Sequence, residues 1–377
     1  MLEKKIKLKN GNQMIAEGAI HAGCKFFAGY PITPASGVYK SMIDLLPGAG
    51  GLAISSPDEI TALAYSVGSS LHGFKSMTAT SGPGWALMIE TVQYALITET
   101  PVVIVVVQRL GPCTGSATQG AQGDILITEF CTSGGYTIPV LYPTTPRECF
   151  ELTVLAFSWA ERFRTPVVLL SDKEIGMTTE SVDYAGLETL KSLERDIINR
   201  HDPNFINWKM YGFDSPEMIS KFAPVGGDIK ITVTGSAHNM MGNLKKNDKE
   251  TLSVLRHLEE KIISNRIDLS LVKKDFQEGA DTLIISFGVT ARAVKDSIMI
   301  ARNSGKNVSS LIIQSLFPIP KDEIIGSIRN IKRVIIPEEN MTGQYRSVIQ
   351  HLLTEKEVIS INKIGSMISP TEILEKI

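Results

Sequence analysis

The apolar positions of this chain recur in two rhythms. The stretch Thr78 to Arg109, TATSGPGWALMIETVQYALITETPVVIVVVQR, shows both. A short mixed run breaks at Gly82-Pro83-Gly84. Trp85, Met88, Val92, Ala95 and Leu96 then recur at helical spacing, which predicts a helix from about Trp85 to Thr98. Pro101 stops it, and Val102 to Val107 follows as an unbroken aliphatic, mostly β-branched run. Such a run predicts a central parallel strand buried on both faces. Strand, glycine-rich turn, helix, strand is the local grammar. The turn would lie at a helix N-terminus, where free backbone N–H groups and the helix dipole suit an anion or polarised ligand. Two glycines that merely let the backbone turn tightly account for the same letters without a ligand.

The flanking sequence repeats this alternation. Asn12 to Ala22 predicts a helix stopped by Gly23, and Phe26 to Gly29 a short strand. Tyr30-Pro31-Ile32-Thr33-Pro34 leaves that strand at its carboxyl end, where open α/β sheets place their ligands. Pro31 and Pro34 pin Thr33 between them. Its hydroxyl suits a small polar group, or equally an N-cap for the next helix. Ala53 to Ser55 predicts a strand, and Ser56-Pro57-Asp58-Glu59 opens a helix rich in small residues through Gly68. Acidic residues in a first turn ordinarily mean only a favourable dipole interaction. Arg109 stands at the carboxyl end of the valine strand, where a guanidinium can clamp a carboxylate or make a salt bridge to another subunit. Gly111 to Asp124 is too long for a simple turn and predicts a functional loop.

Tyr136–Leu141 and Pro166–Leu170 read as strands around a helix from Pro146 to Arg162. Periodicity weakens from Thr178 to about Gly227. Ile229 to Thr234 is strand-like, and Glu250 to Ile263 is a charged amphipathic helix, read as a solvated or interface face. Strands at Thr282–Phe287, Ser309–Ile313 and Arg333–Pro337 then alternate with helices from Thr290, Lys321 and Gly343, a second unit of parallel-sheet type. The expected division is a first domain over 1–180, a connecting segment over 181–228, and a second domain with an N-terminal extension over 229–377.

Composition narrows the class. With 377 residues the chain can hold two or three domains with full cores, and 43% apolar and 21% charged content is ordinary for a globular protein. A formal net charge of −2 gives no electrostatic case for nucleic acid or an anionic membrane. Met1 to Asn10 is lysine-rich without an apolar run behind it, unlike a secretory signal. The longest apolar run falls far short of the roughly 20 residues needed to span a bilayer. A cytoplasmic protein is expected. Cys24, Cys113, Cys131 and Cys149 form no C-x-x-C pair and have no histidine at zinc-ligand spacing, so no metal site or iron–sulfur cluster is expected on this chain. Cys113, next to Pro112, reads as a small core residue, with a reactive thiol as the alternative.

Three motifs carry a resemblance. Thr80-Ser81-Gly82-Pro83-Gly84, followed by a helix and a PVV strand, resembles the pyrimidine-binding domain of thiamine-diphosphate enzymes. Gly29-Tyr30-Pro31-Ile32-Thr33-Pro34 resembles the GYPITP signature of 2-oxoacid:ferredoxin oxidoreductase α subunits. Pro337-Glu338-Glu339-Asn340 with Gly343-Gln344 resembles the family's PEMNxGQ segment, with Glu339 in place of methionine and one extra residue. The resemblance covers nearly the whole chain. It implies an α/β pyrimidine-binding domain followed by a transketolase C-terminal-like domain.

The same resemblance implies roles. Thiamine chemistry needs a carboxyl group hydrogen-bonded to the aminopyrimidine, best placed in an apolar setting. In the family this glutamate opens a helix of small residues, as Glu59 does; Asp58 is the competitor. Thr33 and Arg109 would hold the 2-oxoacid, Arg109 through its C1 carboxylate. Tyr30, Pro31, Ile32, Gly82, Pro83 and Gly84 would line the cofactor's ring. The family's GPSTG reads GPCTG here, and Gly235 with His238 resembles a glycine–x–x–histidine segment of the 2-oxoglutarate branch, giving His238 a possible place at the substrate entrance.

What is missing bears on assembly. Thiamine enzymes also need a GDG diphosphate-binding segment, and here Gly123-Asp124 and Gly227-Asp228 are each followed by isoleucine. The resemblance therefore implies one subunit of a larger enzyme. A β subunit would bring the diphosphate site, Mg²⁺ and a [4Fe–4S] cluster, with γ and δ chains and ferredoxin as further partners. The implied reaction is CoA-dependent oxidative decarboxylation of a 2-oxoacid, foremost 2-oxoglutarate. Pyruvate, a branched-chain oxoacid or indolepyruvate are the alternatives within the family, and a scaffold subunit that lost the chemistry is the alternative outside it.

Overall fold

The structure, a computed structural model, describes residues 5–377; the first four residues of the lysine-rich start lie outside that range. In chain order the first half comprises β1 (Ile6–Lys9), α1 (Gly11–His21), β2 (Phe26–Gly29), α2 (Ser36–Leu45), β3 (Leu52–Ser55), α3 (Glu59–Leu71), β4 (Ser76–Thr80) and α4 (Gly82–Ile97). It continues with β5 (Val102–Gln108), α5 (Ile125–Glu129), β6 (Val140–Leu141), α6 (Pro146–Phe163), β7 (Pro166–Asp172), α7 (Lys173–Met177) and β8 (Glu180–Asp183). The second half comprises α8 (Lys249–Ile263), β9 (Val272–Asp275), β10 (Thr282–Ser286), α9 (Thr290–Asn303), β11 (Val308–Ile313) and β12 (Ser315–Phe317). It ends with α10 (Lys321–Ser327), β13 (Arg333–Glu338), α11 (Gln344–Ile349), β14 (Glu357–Asn362) and α12 (Pro370–Leu374).

The first sheet has seven strands in the order β12-β6-β7-β5-β4-β2-β3, parallel except for β12. The valine run is β5, buried at all seven positions and paired on both sides. Val103, Val105 and Val107 pack with α1 and α6 on one face, whereas Val102, Ile104 and Val106 pack with α3 and α4 on the other. Each such valine contributes roughly 1.5–3 kcal/mol of burial. The order reverses between β2 and β4: β3 lies outside β2, and the chain then crosses back to place β4 on its inner side. That is a topological switch point, the standard ligand crevice of an open α/β sheet.

The second sheet has the order β14-β13-β10-β11-β9, with only β9 antiparallel. The halves are joined by strand pairing as well as packing. β12, from the second half, adds to the outer edge of β6. α8 seals the junction: Lys261 is fully buried and pairs at 2.8 Å with buried Glu99 after α4. The charged helix thus docks its inner face on the first domain.

Two readings change. Residues 229–234 form no strand; Ile229 and Ile231 lie half-buried against a small cluster built on Met210, Tyr211 and Phe222. No neighbouring strand pairs with them, and alternation alone cannot supply one. Tyr136–Leu141 yields only the two-residue β6.

Candidate active site

The carboxyl ends of β5, β4, β2 and β3 form one edge of the first sheet, and the sequence motifs meet there. α3 begins at Glu59, with Asp58 as its N-cap accepting from the Thr61 N–H at 2.7 Å. Asp58 is thereby committed to the helix end. Glu59, one residue on, is buried and turned toward the first turn of α4.

The glycine motif is not a turn before the helix: Gly82, Pro83 and Gly84 are the first turn of α4 itself. Neither glycine has a positive φ, so turning is not what selects them. Space is. A β-carbon on Gly84 would lie 2.5 Å from Glu59 Cγ and 2.7 Å from Glu59 Oε1, and would collide with the Thr80 hydroxyl. A β-carbon on Gly82 would lie 2.8 Å from Asp124 Oδ1 and 2.9 Å from Oδ2. The helix start is kept bare so that two carboxylates can close on it from opposite sides.

Thr33 and Arg109 are also brought together. Arg109, buried at the end of β5, donates from Nη1 to the Thr33 carbonyl at 2.7 Å. The Thr33 side chain does not cap α2, whose N-cap is Ala35 without a side-chain bond. The Tyr30–Pro34 turn is braced from below by buried Asn12, which donates to the Pro34 carbonyl at 2.8 Å. Asn12 fits only because Gly37 and Gly176 lack side chains. Sequence reasoning passed over Asn12, a lone amide in an amphipathic helix with no spacing signal. Tyr30 and Pro31 are exposed and Ile32 half-buried on the same edge.

Asp124 was likewise missed, having been read only as part of a failed GDG. Burial pushes its carboxyl up to about 6, against the pull of the Arg109 charge. Its signal was its place at the end of the glycine-rich loop that returns to the sheet edge.

Native proteins leave few buried polar atoms unpaired, yet several lie along this edge. Ser56 Oγ after β3, Ser81 Oγ after β4, Arg109 Nε after β5 and Asp124 Oδ2 are buried without partners among the described residues. A bare helix turn, a facing carboxylate and unpaired donors and acceptors fit the pyrimidine half of thiamine diphosphate together with an anionic substrate. Among the described residues no group of three or more His, Cys, Asp or Glu could hold a metal ion.

Two other candidates lie apart. His238 is buried against Tyr211, ring centroids 4.3 Å apart, with Nδ1 2.9 Å from the Ser236 carbonyl oxygen. It packs on the small cluster built on Met210, Tyr211 and Phe222. Cys113 is exposed in the loop after Arg109 at φ +53°, rather than in the core, because the loop projects from the sheet edge.

This fold and edge define the thiamine-diphosphate-binding α/β class. Comparison with known proteins gives the family. The profile of the thiamine-diphosphate-binding domain of pyruvate flavodoxin/ferredoxin oxidoreductases matches residues 17–251, and that of pyruvate:ferredoxin oxidoreductase core domain II matches residues 280–373. The chain is 38% identical over 370 residues to the 2-oxoglutarate synthase subunit KorA of Methanothermobacter marburgensis, covering 97% of each chain. It is 34% identical over 374 residues to the same subunit of Methanocaldococcus jannaschii, covering 99% of each. The solved 2-oxoglutarate:ferredoxin oxidoreductase of Magnetococcus marinus, with 2-oxoglutarate, coenzyme A and succinyl-CoA bound, superposes at a TM-score of 0.92 and 29% identity. That alignment takes in all of this chain but 65% of the solved one, so this chain spans just under two thirds of its length. A split-gene transketolase shares the fold at a TM-score of 0.54 and 13% identity. The chain belongs to the 2-oxoacid:ferredoxin oxidoreductase family, as an oxidoreductase subunit.

Proposed function

We propose that this chain is the α subunit of a 2-oxoglutarate:ferredoxin oxidoreductase. The complex converts 2-oxoglutarate and coenzyme A to succinyl-CoA and CO₂ while reducing ferredoxin. The observation that carries the reading is the juxtaposition of Glu59 with a side-chain-free helix turn, next to an Arg109 anchored on Thr33. Relatives named for 2-oxoglutarate over nearly their full length support the choice of oxoacid.

Thiamine diphosphate, when bound, supplies the group on which a 2-oxoacid loses CO₂. The chain's own residues bind and orient. Glu59 would hold a proton or a hydrogen bond at the aminopyrimidine, and Gly84 leaves the space beside its carboxylate open. Gly82, Pro83, Tyr30, Pro31 and Ile32 would line the ring. Arg109 binds the substrate carboxylate, and Thr33 places its hydroxyl against the oxoacid. A β subunit provides the diphosphate site, Mg²⁺ and a [4Fe–4S] cluster, and γ and δ chains and ferredoxin complete electron transfer. The four cysteines are unpaired, which agrees with work in the reducing cytoplasm.

The test is Glu59→Gln in the assembled complex. It is expected to lower turnover by about 10²-fold or more, the scale of a lost acid–base group, while the melting temperature stays within a few degrees. Retained turnover would remove Glu59 from this role.

A further inference from the structure

The glycine-rich loop after Arg109 ends at Asp124, and the second domain holds that end with unusual thoroughness. Asn340 donates to the Gln122 carbonyl at 3.0 Å, and Gln344 donates to the Gly123 carbonyl at 2.9 Å while accepting from the Leu126 N–H at 3.1 Å. Asn340 Oδ1 accepts from the N–H groups of Gly343 and Gln344, which fixes the clasp itself. From the first domain, Gln108 accepts the Asp124 N–H at 2.9 Å and donates to Tyr142 Oη at 2.6 Å. Tyr142 in turn donates to Asp172 at 2.6 Å, and Asp172 accepts the Val289 N–H at 2.6 Å. The Asn–Gly–Gln segment thus braces the last turn of the loop and the start of α5. What the brace presents is the Asp124 carboxylate, laid against Gly82, with Oδ2 buried and unpaired. Arg109, the residue after Gln108 and just past the end of β5, has its own Nε buried and unpaired.

We propose that Asp124 is a positioning residue for Arg109: it balances the guanidinium while the site is empty, and takes a proton from solvent when a substrate carboxylate replaces it. This rests on the reading of Arg109 as the carboxylate clamp. No ion pair joins the two side chains; Arg109 Nη1 donates instead to the Thr33 carbonyl. A substrate carboxylate brought to Arg109 puts a second negative charge near Asp124, and one proton relieves it. Arg109, just past the end of β5, is the charged group acting on Asp124. Glu59 on α3 lies behind Gly84, on the other side of the α4 start. Gly82, Gln108 and Gln344, which contact this end of the loop, are uncharged.

The sign follows. Below about pH 6 Asp124 is neutral and leaves Arg109 to the substrate; above it, the carboxylate competes. In the wild-type complex KM for 2-oxoglutarate should therefore rise about tenfold between about pH 6 and about pH 8, as expected when a group titrating near 6 opposes an anion. Asp124→Asn should flatten that rise, with the effect on KM rather than kcat. Steady-state assays of both complexes across this range read it. A wild-type complex with no turnover on any oxoacid would undo the functional reading itself. A wild-type complex that turns over with a flat KM, or a variant whose profile runs parallel to wild type, would overturn the proposal. A lowered melting temperature with a parallel profile would reduce Asp124 to a structural anion at the start of α4. Should the variant fail to assemble, the wild-type profile decides alone.

Discussion

At the scale of single residues, the site is a matter of removed β-carbons. Gly84 is glycine because Glu59 occupies the space its side chain would take. Gly84→Ala leaves the backbone unstrained, since its φ is negative, and must displace the Glu59 carboxylate. Turnover is expected to fall by about 10²-fold, because misplacing a catalytic group by an ångström has that cost, whereas circular dichroism and melting should show a folded chain. Near-normal turnover in the variant would mean that Glu59 does not act from this position. Glu59, Thr33 and Arg109 could be named as candidates from the sequence because each stands in a motif that resembles the family's: a helix start, a double-proline turn, a strand end. Asn12 and Asp124 could not. Their significance comes from partners 22 and 16 residues away, Pro34 and Gln108, and nothing in the local letters points there. The glycines were legible as a motif but not in their cause, which is close approach and not turning.

At the scale of elements, β5 declared itself because burial on both faces leaves an unbroken apolar run, and β10, β11 and β13 did so by alternating with helices. The segment 229–234 shows the limit, since a strand-like pattern becomes a strand only where another strand has a free edge. β12 shows the converse: Ser315–Phe317 pairs with β6 across nearly half the chain, a contact no local pattern announces. The junction of the two sheets also holds buried acids. Burial pushes Asp172 up to about 7, and burial followed by the Asp172 charge pushes Glu339 up to about 8. Both values lie above those of the unfolded chain, near 4. The folded state therefore binds more protons than the unfolded state between about pH 4 and about pH 8, and stability falls as pH rises through that window. Glu339 Oε1 accepts the Ile368 N–H at 3.1 Å, which a glutamine can preserve. Glu339→Gln should raise the melting temperature at pH 8 relative to wild type and leave it nearly unchanged at pH 5. Melting curves at the two pH values decide; a variant equally destabilised at both would contradict the assignment.

At the scale of the whole molecule, the proposed reading makes the chain one half of a reaction centre. Its sheet edge offers a carboxylate, a guanidinium and a bare helix turn, and its second domain braces the loop that completes that edge. In the proposed enzyme the diphosphate and the electron path belong to other chains, so the account stands or falls on the assembled complex. The most direct measurement is anaerobic, CoA-dependent reduction of viologen by the complex copurified with this chain, with thiamine diphosphate and Mg²⁺ supplied and a panel of 2-oxoacids tested. The account predicts turnover with 2-oxoglutarate at the highest kcat/KM. A complex with its clusters loaded that prefers pyruvate, a branched-chain oxoacid or indolepyruvate, or that reduces no acceptor with any oxoacid, would contradict it.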